Sequence, residues 1–99
     1  MKKLLAVTLL ITSFFTHSEP VSEICSGAHD LAKVVMQLRQ QNISIVSVLS
    51  KIEADEMTKN IIILAYEKPL YSTQEMKDKT VADFANEVFM ICYKATNEG

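Results

Sequence analysis

The chain has no tryptophan, two glycines, two prolines and two cysteines, and beyond residue 18 a single histidine. Each scarcity removes a class of chemistry. One histidine gives few ways to assemble an acid, a base and a nucleophile, and the residues hold no catalytic or nucleotide-binding constellation. Glu53, Asp55 and Glu56 gather between two apolar segments, but their spacing is not that of a calcium loop and no glycine makes its turn. No cofactor is expected. Cys25 and Cys92 stand too far apart for a redox Cys-x-x-Cys motif and lack the companions of a metal cluster.

An excess of positive charge is also missing. Lys2 and Lys3 are the only charged residues before Ser18, so the remainder holds 8 Lys and Arg against 12 Asp and Glu, a net charge of −4. Long-range attraction to DNA, RNA or anionic lipid is thereby excluded. The two signs are interspersed, as on a solvated helical surface, and there are no internal repeats, low-complexity tracts or linkers.

What is present starts with the N-terminus. Met1, Lys2 and Lys3 precede an apolar stretch from Leu4 to Phe15, interrupted by Thr8, Thr12 and Ser13 and followed by Thr16 and Ser18. This is the layout of a secretory leader, and the stretch falls short of the roughly 18 to 20 residues of a permanent membrane span. The expectation is a signal peptide over 1–18, cleaved after Ser18, and one small domain over 19–99 in the periplasm or secreted. Membrane contact is expected only through an uncleaved leader. Glu23 and Ile24 before Cys25 do not suit lipid attachment.

Export places the two cysteines in an oxidising compartment, where a domain this small gains from a covalent staple. Pairing Cys25 with Cys92 closes a loop of about 68 residues, for which the chain-entropy account gives on the order of 4 kcal/mol.

Four apolar segments have helical spacing. In the first, Ile24, Ala28, Leu31, Val35 and Leu38 define a face that Cys25, Ala32 and Met36 widen; Ser22 is the expected cap and Asn42 the stop. Glu23 and Arg39 suit the two ends of the helix dipole. The second runs from Ser44 with Ile45, Val48, Leu49 and Ile52 on one side. The third, capped by Asp55 and ended by Pro69, carries Met57, Ile61, Leu64 and Ala65; its Ile61–Leu64 run also fits a strand, and context favours helix. Ser72-Thr73-Gln74-Glu75 has the form of a capping box with Ser72 as cap, opening a long helix whose face is Val81, Phe84, Ala85, Val88, Ile91, Cys92 and Ala95. Antiparallel packing of the first and last helices would bring the sulfurs together. The predicted fold is all-α: a small four-helix domain with first and last helices antiparallel and joined by the disulfide.

Candidate functional residues are few. Ser26, His29 and Asp30 lie close in sequence, but a helix aims Asp30 away from His29 and offers no strained nucleophile turn, so His29 reads as a partly buried structural residue. Met36, Met57, Met76 and Met90 read as gap fillers in a core, with a promiscuous hydrophobic groove as the alternative. Tyr66 and Tyr71 flank Pro69 in a short rigid connection, the one place where two aromatics are displayed as contact residues for a protein partner.

The arrangement Cys25, Ala32, Met36, Arg39-Gln40, then Ala65-Tyr66-Glu67-x-Pro69-x-Tyr71-Ser72-Thr73-x-Glu75, then Phe84 and Cys92-Tyr93-Lys94 resembles a group of small exported two-cysteine proteins encoded in bacterial and phage genomes. The resemblance covers most of the chain after the leader. It implies export, paired cysteines and helices, and carries no activity, cofactor or functional residue. Where that group often has a basic residue after the proline, this chain has Leu70. Size, helical content and a single disulfide are also similar to those of periplasmic acid-stress chaperones, a likeness of class that no motif supports.

The expected function is a non-enzymatic interaction protein of the periplasm or exterior, an inhibitor or immunity-type factor contacting a partner through Tyr66, Pro69 and Tyr71. The alternatives are an acid-activated chaperone, in which protonation of the carboxylates reverses the net charge and loosens the fold, and a small enzyme.

Overall fold

The computed structural model describes residues 20–98; the expected leader, 1–18, lies outside them. Among the described residues there are four helices and no strand: α1 Pro20–Gln40, α2 Ile45–Lys51, α3 Glu56–Tyr66 and α4 Gln74–Glu98. α1 is the hub. Antiparallel α4 packs along it, α3 packs on it from another side, and α2 packs on α3. Cys25 in the first turns of α1 is bonded to Cys92 near the end of α4, their Cα atoms 5.5 Å apart.

Local chemistry explains the boundaries. α1 ends in a Schellman turn: Asn42 takes the left-handed conformation (φ 64°), its N–H bonds the Arg39 carbonyl, and Ile43 N–H bonds that of Leu38. Ser44 Oγ caps α2 by accepting from Ser47 N–H, and Asp55 caps α3 by accepting from Thr58 N–H at 2.8 Å. The Asn60–Tyr66 segment is therefore helix, with Ile61, Ile62 and Ala65 buried. Two expected caps are corrected. Pro20 already belongs to α1, which puts Ser22 inside its first turn. At α4 the cap is Thr73, whose Oγ1 accepts from Met76 N–H, so Ser72 lies one residue outside and Glu75 is not placed for a capping box.

The core is a single cluster built from Ala28, Ala32, Val35 and Met36 of α1, Val48 of α2, Ile61, Ile62 and Ala65 of α3, and Val81, Phe84 and Val88 of α4. The buried stripe of α1 is thus centred on Cys25, Ala28, Ala32 and Val35, while Ile24, expected on it, is 56% exposed. Residues three and four apart share a helix face, and Ile24 sits at that face's edge, one residue round from Cys25.

Candidate functional site

The connection holding Tyr66, Pro69 and Tyr71 is tied to the C-terminal end of α1. Arg39 donates from Nε and Nη2 to the Lys68 carbonyl at 3.1 and 3.0 Å, and its guanidinium lies 5.3 Å from the Tyr66 ring centre. Gln40, only 4% exposed, donates from Nε2 to the Pro69 carbonyl at 2.8 Å, while its Oε1 accepts from Tyr71 N–H at 3.0 Å. Lys77 of α4 donates to the Gln40 carbonyl at 2.7 Å, satisfying a carbonyl that the helix end leaves open. Lys68 pairs with Glu87 at 3.0 Å on the far side of the same connection.

This network places the three candidate contact residues differently from one another. The Tyr66 hydroxyl donates to the Ile43 carbonyl at 2.6 Å, and burial raises its pKa against an opposing pull from Arg39. Tyr71 is half-buried and lines a shallow cleft of about 160 Å³ with Lys68, Thr80, Asp83 and Glu87. Pro69 is exposed and its carbonyl is taken by Gln40. The segment is rigid, and its polar groups are used for attachment to α1.

The opposite end of the molecule is apolar and open. α3 and α4 both pack on α1 and scarcely touch each other, which leaves a groove of about 290 Å³ between them. Ala28 is its floor. Met57, Asn60, Ile61 and Leu64 of α3 form one wall, and Val88, Ile91, Cys92 and Ala95 of α4 the other. Met57, Ile91 and Ala95 were expected in the core; instead Met57 is 43% and Ile91 51% exposed, because each lines the groove that separates α3 from α4 at this end. Of the methionines, Met36 is buried and Met57 and Met90 are exposed.

His29 is half-buried, its ring edge on Phe89 at 6.4 Å between centres, with Tyr93 stacked on Phe89 at 5.9 Å. Its Nδ1 lies 3.2 Å from Asp30 Oδ1, against the expectation that the carboxylate points away; both side chains reach along the surface to meet. Ser26 is exposed and enters no hydrogen bond with this pair among the described residues. The groove contains no titratable side chain, and Asn60 is its one polar wall residue. Such a surface can bury apolar side chains and supplies no proton transfer or nucleophile.

The groove was not legible as a site. Its signals in the sequence are the methionines, of which Met57 lines it, and the apolar stripe of α4, which runs on to Ala95, past the last residue buried in the core, Val88. No helix of the described residues is long and apolar enough to cross a membrane, and the disulfide is compatible with an oxidising compartment. Compared with protein-family models, curated proteins and solved structures, the chain matches none of them.

Proposed function

We propose that the protein is a non-enzymatic factor exported to the periplasm or exterior, of inhibitor or immunity type, that receives an apolar segment of a protein partner in the groove between α3 and α4. The observation that supports this reading is the groove itself: apolar walls on two helices separated over a third, with Met57 and Ile91 exposed on opposite sides. An apolar helix laid into such a cleft completes a bundle. Methionine suits the role because its unbranched thioether adapts to varied side chains. The loop with Tyr66, Pro69 and Tyr71 is the weaker contact surface, since the Tyr66 hydroxyl and the Pro69 carbonyl already have intramolecular partners.

A photocrosslinking side chain installed at position 91 or at position 70, in chain expressed with its leader, tests both surfaces in the periplasm. Position 91 should capture a defined partner. Capture from position 70 alone would move the contact to the tyrosine loop. Export is read in the same experiment, from recovered chain that begins near Glu19.

The acid-chaperone reading has one observation in its favour. Asp55 caps α3 two residues before the groove residue Met57, and its carboxylate pKa lies below the usual range because Thr58 N–H and hydroxyl bond it. Protonation at low pH removes that cap and loosens the start of the groove's α3 wall.

A further inference from the structure

We propose that the Cys25–Cys92 bridge is a redox clasp for the groove: oxidised, it holds the end of α4 against α1 as the groove's second wall, and reduced, it releases that wall while the core around Phe84 stays folded. Burial along α4 changes abruptly. Up to Val88 the helix buries Val81, Phe84, Ala85 and Val88. From Phe89 onward Phe89 and Cys92 are half-buried and every other described side chain to Asn97 is exposed. Opposite this stretch, among the described side chains of α1, Cys25 and Ala28 are the buried ones, and an alanine removes little apolar area from water. The stack of His29, Phe89 and Tyr93 lies partly in solvent along the same joint. Among the described side chains the core packing of α4 therefore ends near Val88, and beyond it the bridge adds to the half-buried contact of Phe89 with His29.

The groove sits on that remainder. Ile91, Cys92 and Ala95 are three of its α4 wall residues, and one sulfur of the bridge belongs to the wall. Closing the clasp oxidises two thiols to one disulfide, and the two electrons and two protons pass to the disulfide of an oxidising partner, which leaves as two thiols. Opening is the reverse exchange with a dithiol reductant. The chain would thus carry its docking surface in an oxidising compartment and lack it in a reducing one. This extends the docking reading to the regulation of that site, and rests on it, but its test needs no docking partner, so either can fail alone.

The test is amide hydrogen exchange, followed by mass spectrometry, on oxidised chain, on chain reduced with dithiothreitol, and on the double variant Cys25→Ser/Cys92→Ser. Reduction and the double variant should each strip residues 89–98 of nearly all protection, so that they exchange close to the free-chain rate, while peptides covering Val35–Met36, Ile61–Ala65 and Phe84–Ala85 stay protected well above it. Reoxidation with glutathione disulfide should restore the slow rates in the wild-type chain only. Unchanged exchange at 89–98 would overturn the proposal, and so would equal loss of protection throughout, which would make the bridge a staple for the whole fold.

Discussion

The two ends of the α1–α4 pair are fastened by different chemistry. At one end Arg39, Gln40 and Lys77 hold the Lys68–Tyr71 connection by charged and amide hydrogen bonds to backbone. At the other a disulfide joins helix ends where, among the described side chains, α1 buries Cys25 and Ala28, beside an apolar groove. Directional bonds from a half-buried arginine and a buried glutamine need partners at fixed positions, and so they hold the connection in one conformation. A disulfide fixes only one point, and leaves the side chains around it free to face solvent or a partner. The polar end is therefore held as part of the fold, and the covalent end leaves apolar surface exposed.

The largest expected effect comes from the middle, which both ends share. Phe84→Ala, removing one of the largest fully enclosed side chains, should cost about 4 kcal/mol in urea unfolding and loosen both ends together. Loss at one end alone would show that the helix pair is not a single packed unit. Replacing both cysteines by serine should cost about 3 kcal/mol, measured in denaturant without reductant, and should leave the polar connection intact. Gln40→Ala strips partners from the Pro69 carbonyl and the Tyr71 N–H and should cost about 2 kcal/mol, with the largest acceleration of amide exchange at residues 66–72. Tyr66→Phe, which deletes only the hydroxyl bonded to Ile43, should lower stability by about 1 kcal/mol in thermal unfolding. The smallest is a pH effect at the groove end. The depressed carboxylate pKa of Asp55 contributes stability present above the ordinary aspartate range and lost as pH falls through its lower folded value, so Asp55→Asn should flatten the acid limb of the unfolding midpoint against pH.

Much of this organisation is legible in the sequence where the cause is local. Asp55 and Asn42 act on backbone groups within a few residues, and each is found in its expected role, while Ser44, where the second segment was expected to start, caps it. The cysteine pairing follows from two helix faces and a compartment. Where Ser72 and Thr73 both offer a hydroxyl, sequence does not choose between them; the structure does, starting the helix after Thr73 once Tyr71 N–H is bound to Gln40. Arg39 and Gln40 lie 29 to 31 residues from the groups they hold, so a local pattern reads Arg39 as a dipole partner and gives Gln40 no role. Periodicity reports that Met57 and Ile91 lie on apolar faces and is silent on whether another helix covers them.

The central claim is that the two fastenings act independently, and a double-mutant cycle between them tests it most directly. The wild-type chain, Gln40→Ala, Cys25→Ser/Cys92→Ser and the combined variant would be unfolded in urea under one set of conditions. The account predicts that the two losses add to within about 0.5 kcal/mol, as for sites that share no partner. A coupling above about 1 kcal/mol would contradict it, and would mean that the polar and covalent ends hold one another in place.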